Sequence, residues 1–403
     1  MADQPTLFYL TSEMPFPADS GGRIKTFRFL EALSKEYRVR LLCAHGGERI
    51  SDINALKSTI DLEGVQAFEN HLPRTGLNWI RALMTSPSFN AYRIYSKELE
   101  HMIKWSVRGA DVVIMDHLEC IDLIPEDFRG KIIYHSHNAE FHLWEAFSST
   151  LKNPLAKWAV DWETERVKVL ERYAIHRTSF TFAAPNDQQT LSKELKISPD
   201  KFKNTFHLGN DAMLELPAID TSKNGNKIFY AGTLSWQPNS DGLTWFVKEC
   251  WPKILEKKPE AELVVCGKGA SKEFSTLLKT TKGISQKGFV ADLESEMKIS
   301  ALAIAPLRFG SGMKIKTFDA LYRGLPLVCT SLAAEGIEIQ HQKHAFIVDS
   351  AIDFSNSVVQ ALSNKESAQT IALEGRKLAQ EKYTYAKLFE QMIGDIKALY
   401  QSS

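Results

Sequence analysis

Two doubly wound α/β domains are the fold class the sequence predicts, and three observations carry it. Short apolar runs alternate with amphipathic stretches along the chain, the signature of parallel strands joined by crossover helices. At 403 residues the chain exceeds one ordinary core and fits two domains. Between the halves, "DAMLELPAIDTSKNGNK" (211–227) has no periodicity and collects Pro, Gly, Asn and Ser, which marks a linker.

In the first half, the strands expected are "TLFYLT", "RVRLLCA", "DVVIMD", "KIIYHS" and "SFTFAA", with helices over 22–33 and 155–176. In the second they are "KIFYAGTL", "ELVVCGKG", "ALAIAPL", "PLVCT" and "AFIV". The domains are then 1–210 and 228–380, joined by 211–227. Residues 381–403 read as a helix that must cover a sheet face; packing back on the N-terminal domain is one arrangement, and periodicity leaves the choice open.

Composition narrows the function. With 44% hydrophobic and 24% charged residues the chain is globular, without room for a large disordered part. Lys plus Arg and Asp plus Glu each total 49, so the net charge is zero and nothing global recruits nucleic acid. Cys43, Cys120, Cys250, Cys266 and Cys329 are scattered, form no C-x-x-C pair, and read as buried thiols in a reducing compartment. The N-terminus lacks a basic start with a continuous apolar run, and no segment approaches 18 apolar residues. The expected location is cytoplasmic, free or peripheral at the inner face of the membrane.

The stretch "APLRFGSGMKIKTFDALYRGLPLV" (305–328) carries the most chemistry. A strand ending at Leu307 delivers a glycine-bracketed turn to the carboxyl edge of a parallel sheet, where ligands bind. A helix beginning near Met313 would aim its free N–H groups there. Gly310 and Gly312 permit close backbone approach, and Lys314 or Lys316 adds charge for a diphosphate. Asp319 lies about 12 Å along the helix from Ser311 at 1.5 Å per residue, roughly the reach from a donor sugar to a ribose. The same residues also suit a turn with solvated lysines. In the first half, Gly21 and Gly22 of "PADSGGRIKTFRFLEAL" open a helix whose N-terminus suits a polar ligand, or simply form a turn.

The segments "GTLSWQPNSDGLTWF", "VVCGKG", "KGFVADL", "PLRFGSGMKIKTFDAL" and "RGLPLVCTSLAAEGI", with "PADSGGRIKTFRFLEAL" and "YHSHNAE" in the first half, resemble family 4 glycosyltransferases, also called group 1. The likeness spans nearly the whole chain in the family's order. It implies the GT-B fold, two Rossmann-like domains facing a central cleft, and a retaining transfer of sugar from a nucleotide diphosphate donor, which is a co-substrate; no cofactor or metal is required. The family's two glutamates, separated by seven residues, fall here on Ser311 and Asp319. Asp319 keeps a carboxylate for ribose hydroxyls, and Ser311 with the N–H groups of Gly312 and Met313 is left to bind sugar hydroxyls. The loop after the first C-terminal strand offers Gly232, Thr233 and Asn239 but no cation, so Lys314 is the first choice to hold the diphosphate and Lys316 the second; the alternative is that one of the two lysines faces solvent. His137 matches the histidine that the family places by the donor sugar, with His135 in support. Together His137 and Ser311 form the expected catalytic pair. Glu335 of "AAEGI" matches a loop near the donor. Glu140, Glu145, Asp161 and Glu165 lie close to His137 in sequence, and none is assigned as a base.

The acceptor, a glycan, lipid-linked glycan or small-molecule hydroxyl, is expected in the N-terminal domain. Residues 77–105 mix aromatic and aliphatic residues with Arg81, Arg93, Lys97 and Lys104, which suits a helical pair covering the sheet or a contact with an anionic membrane through Trp79, Ile80, Phe89 and Tyr92. The resemblance suggests surface polysaccharide or glycolipid biosynthesis. Two alternatives stand beside a transferase: an epimerase-like GT-B enzyme acting on a nucleotide sugar, and a non-catalytic subunit that binds nucleotide or glycan.

Overall fold

The computed structural model describes residues 5–18, 21–45, 50–69, 72–151, 153–206, 208–310 and 314–401. The chain divides into two compact units: Met1–His207 with Phe389–Ser403, and Leu208–Leu388.

The first unit contains, in order, β1 (Thr6–Thr11), α1 (Gly21–Leu33), β2 (Arg38–His45), α2 (Ile50–Thr59), β3 (Gly64–Glu69), α3 (Gly76–Thr85), α4 (Phe89–Ile94), α5 (Lys97–Ser106) and β4 (Val112–Asp116). There follow β5 (Lys131–His135), α6 (Glu140–Thr150), α7 (Pro154–Arg177), β6 (Phe180–Ala183), α8 (Pro185–Leu195) and β7 (Phe202–Asn204). The strands form one parallel sheet in the order β3-β2-β1-β4-β5-β6-β7. The order reverses between β1 and β4, and such a switch point opens a crevice at the carboxyl ends of the strands. The core packs Leu10, Val113, Met115 and Tyr134 of the sheet against Phe141, Leu170 and Ile175 of the helices.

The second unit contains β8 (Lys227–Ala231), α9 (Gln237–Trp245), α10 (Trp251–Lys257), β9 (Glu262–Cys266), α11 (Lys272–Thr280), β10 (Ile284–Gly288), α12 (Leu293–Lys298), β11 (Leu302–Ala305) and α13 (Ile315–Arg323). It continues through β12 (Leu327–Cys329), α14 (Ser331–Ala334), β13 (Phe346–Ile347), α15 (Ala351–Ser363) and α16 (Lys365–Lys382). Its parallel sheet runs β10-β9-β8-β11-β12-β13, with the reversal between β8 and β11. Trp251, fully buried, anchors the core with its indole N–H donated to Lys282 O at 2.8 Å. The last helix, α17 (Tyr385–Gln401), supplies Phe389, which stacks on Phe29 within the first unit.

All ten strands expected from apolar runs are present. Three more, β3, β7 and β10, have no such run. They lie at sheet edges, and β10 alternates partly buried with exposed residues, so half its positions are polar. Residues 211–227 begin with a 3-10 turn, Asp211–Leu214, and belong to the second unit. Arg323, 3% exposed, holds this segment by donating to Pro217 O at 2.8 Å, and it also makes a bidentate pair with Glu294 at 2.7 Å.

Three readings need correction. The helix after the quoted turn starts at Ile315, and Lys314 is its extended N-cap residue. Neither lysine points fully into solvent: Lys314 is 3% exposed and Lys316 is partly buried. Helical spacing does not relate the two side chains because Lys314 precedes the helix. Phe89, counted among the membrane-facing residues, is 3% exposed and packs on Trp79 at 4.9 Å.

Candidate functional site

Each unit places polar side chains at its own switch point. In the second unit, β8 runs into Gly232 and Thr233, and Pro238 in the first turn of α9 suits a helix start. Asn239 donates from Nδ2 to Thr233 O at 2.9 Å. Its Oδ1 accepts from Lys316 Nζ, which also donates to Tyr230 Oη at 3.2 Å and lies 4.8 Å from the Tyr230 ring centroid. A side chain at Gly232 would come 2.9 Å from Asn239 Nδ2 and 3.1 Å from Tyr230 Oη, so glycine keeps this corner open.

The strand β11 ends in the loop carrying Gly310, whose φ of +122° suits glycine and whose neighbours are Pro238 and Trp236. Lys314 Nζ donates to Gly310 O at 3.4 Å. Ser311, Gly312 and Met313 lie outside the described residues. Asp319 follows Lys316 by three residues, on the same helix face. Its carboxylate meets the backbone N–H of Asn210, and its Oδ1 is shielded from solvent with no hydrogen-bond partner among the described residues. Burial pushes Asp319 up to about 7, opposed by the Asn210 N–H and Lys316. It lowers Lys316 to about 7, with Lys314 adding to the shift and Asp319 opposing it. Glu335 is exposed just after α14, a helix tied to α13 by the Thr317 hydroxyl donating to Ala333 O at 2.8 Å.

In the first unit, Thr11, Asp116 and His135 end adjacent strands in register. Asp116, fully buried, accepts at Oδ1 from His135 Nδ1 at 2.6 Å and from His137 Nε2 at 2.8 Å. Its Oδ2 accepts from Thr26 Oγ1 at 2.6 Å. His117 stacks on His137 at 4.3 Å and has φ +94°, a conformation a non-glycine residue holds only at a cost. Burial opposes charge on Asp116, but the imidazoles of His137, His117 and His135 and their hydrogen bonds outweigh it and hold the carboxyl well below its ordinary range. Burial lowers His135 to about 4 and His137 to about 3, so both are neutral at pH 7 and each donates one N–H to Asp116. The other ring nitrogen of His137, Nδ1, lies on the side of Gly22.

The three ligating atoms of Asp116, His135 and His137 lie within 4.8 Å of one another. Their 2.6 and 2.8 Å separations are hydrogen bonds. Atoms sharing a tetrahedral ion at about 2.0–2.2 Å would stand farther apart, so the cluster is a shared-acceptor network.

Gly21 is the first residue of α1, and a side chain at Gly22 would approach Glu13 Oε1 to 3.3 Å. Lys25, 2% exposed, donates to Ser136 O at 3.1 Å, and burial lowers it to about 8. Residue order did not single out Asp116, His117, Lys25 or Tyr230. The only trace of the first two was a polar pair ending an apolar strand, "VVIMDH". Glu140 opens α6, with its N–H and that of Phe141 donated to the buried Glu171 at 3.1 and 3.3 Å. Burial first, then Glu119, raises Glu140 to about 7. Glu145 pairs with Lys168 and Asp161 with Lys157, both on the surface.

Comparison with known proteins gives the class. The chain superposes on the crystal structure of Anabaena Alr3699/HepE in complex with UDP with a TM-score of 0.67 at 13% identity, covering 98% of this chain and 100% of that one. It superposes on WaaG, a glycosyltransferase involved in lipopolysaccharide biosynthesis, with a TM-score of 0.64 at 15% identity over 96% of this chain and 98% of that one. The fold is GT-B. Residues 225–364, within the second unit, match the family described as Glycosyl transferases group 1. A Klebsiella pneumoniae relative, described as an uncharacterized 44.6 kDa protein in the cps region, is 20% identical over 96% of this chain and 98% of its own.

Proposed function

We propose that the protein is a retaining glycosyltransferase that moves a sugar from a nucleotide diphosphate donor to a hydroxyl acceptor, in surface polysaccharide or glycolipid biosynthesis. The observation that carries this reading is Lys316, held at the switch point of the second sheet by Asn239 and Tyr230, with Asp319 one turn on along the same face. A partly buried ammonium in the first turn of a helix suits a diphosphate. A carboxylate with one oxygen unpaired among the described residues suits ribose hydroxyls. The solved relative that binds UDP supports the donor class.

In this reading Lys316 stabilises negative charge on the departing diphosphate. His137 accepts a hydrogen bond from a sugar hydroxyl at Nδ1, and Asp116 fixes that tautomer. In a retaining reaction the acceptor attacks the face the nucleotide leaves, and a diphosphate oxygen takes its proton.

The test is calorimetric titration of UDP, GDP, ADP and dTDP, and of their sugars, into wild type, Lys316→Ala and Asp319→Ala. One nucleotide should bind, both substitutions should weaken it about tenfold or more, and NMR of the product should show the donor's anomeric configuration kept. No binding by any nucleotide, or an inverted product, contradicts the reading.

A further inference from the structure

The first unit holds a cavity of about 670 Å³ among α3, α4, α6 and α7. This lies in the range of small-molecule sites, about 300–1,000 Å³. Trp79, Phe89, Trp144 and Phe147 wall it, and Ala156 and Ala159 leave space on the α7 side. Two residues lining it carry orphaned polar atoms: Trp79 Nε1 and Asn90 Oδ1 are shielded from solvent and have no hydrogen-bond partner among the described residues. Their side chains line the cavity with other atoms, so the wall they present is mostly apolar. Glu140 lines the same cavity.

The same helices expose large apolar side chains. Leu77 is 60% and Ile80 56% exposed on α3, and Leu155 is 78% and Trp158 65% exposed on α7. The cavity's own wall of Leu143, Trp144, Phe147 and Val160 is apolar as well, and a hydrocarbon chain buries such a wall where a free sugar does not.

We propose that this cavity takes the hydrocarbon chain of an amphiphilic acceptor, with Glu140 hydrogen-bonding its polar head group. The proposal rests on the transferase reading for the word acceptor, and on the cavity alone for the ligand's chemistry.

The test titrates n-octyl, n-decyl and n-dodecyl β-glucoside, each below its critical micelle concentration, into the full chain without nucleotide, followed by tryptophan fluorescence and calorimetry. Affinity should rise about fourfold per methylene, about fifteenfold for each added pair, until the cavity is full. Ala156→Trp, at an exposed helix position lining the cavity, should lower dodecyl glucoside affinity at least tenfold with an unchanged circular dichroism spectrum, whereas Ala156→Ser should bind like wild type. A flat chain-length series, or Ala156→Trp binding like wild type, overturns the proposal. Displacement of the amphiphile by glucose or a maltooligosaccharide overturns it in favour of a sugar site, and binding to anionic vesicles with no binding of monomers overturns it in favour of a surface contact. Nucleotide titration of wild type, run in parallel, reports separately on the transferase reading.

Discussion

Asp116 is shared by two imidazoles, and that sharing has a measurable acid signature. His135 and His137 have folded pKa values of about 4 and about 3 against an ordinary 6.5, so below 6.5 the unfolded chain binds more protons than the folded one. Stability should therefore fall as pH drops from about 6.5 to about 4, by up to two protons' worth of slope. His117 works the other way: burial opposes its charge, but Asp116, Glu119 and Glu13 raise its pKa, so its contribution is present at low pH and lost as pH rises. Urea unfolding between pH 4 and 7 checks the sum, and His135→Gln should flatten the profile; a profile as steep as wild type would contradict the assignment. For turnover, His137→Ala should cost about tenfold, the worth of one hydrogen bond of about 1–1.5 kcal/mol, with little change in nucleotide affinity. Lys316 carries the second pH effect. Its pKa of about 7 means the ammonium is lost as pH rises through neutrality, so diphosphate affinity should weaken from pH 6 to 8 and Lys316→Arg should remove most of that dependence. Isothermal titration in two buffers of different ionisation enthalpy would read the accompanying proton uptake.

Among the elements, α13 sets the position of Lys316 and Asp319, and both its ends are built by specific residues. Lys314 begins it without a side-chain cap, and the Thr317 N–H closes the first turn by donating to Lys314 O at 2.8 Å. Gly324 ends it at φ +60°, ψ 32°, where a β-carbon would also come 3.1 Å from Ala218 Cβ. Gly324→Ala should destabilise the protein by about 1–2 kcal/mol, seen as a lowered urea midpoint, with a smaller loss of nucleotide affinity than Asp319→Ala causes. The Gly324 end was visible in "YRGLP", whereas the start at Ile315 was not, because the cap-type residue of "GSGMKI", Ser311, stands three residues before the N-cap position, which Lys314 takes. The same limit hid β3, β7 and β10, which lack the apolar run of a strand buried on both faces.

For the whole molecule, two sheets with two cores predict that damage to one core is costly. Trp251→Ala removes a fully buried indole from the second unit and orphans Lys282 O, for about 3–5 kcal/mol. Denaturant unfolding should show it, and a loss below 1 kcal/mol would mean that unit relaxes around the gap. A nucleotide held at 100 times its Kd should return about 2.7 kcal/mol to the unit that binds it.

Legible from residue order alone were ten of the strands, the division into two α/β units, the strand and helix on either side of residues 308–314, and His137 as a residue at a strand's carboxyl end. These are local facts: apolar runs, glycine spacing and helix periodicity lie within a few residues of one another. Folding alone decided which lysine meets Asn239 and Tyr230, because those partners lie 77 and 86 residues away. It also brought Asp116 to within hydrogen-bond distance of histidines 19 and 21 residues on, by pairing β4 with β5 in register. The cavity beside Glu140 likewise exists only where four helices leave space between them. Periodicity tells which side of an element is apolar, and only packing tells whether that side is filled.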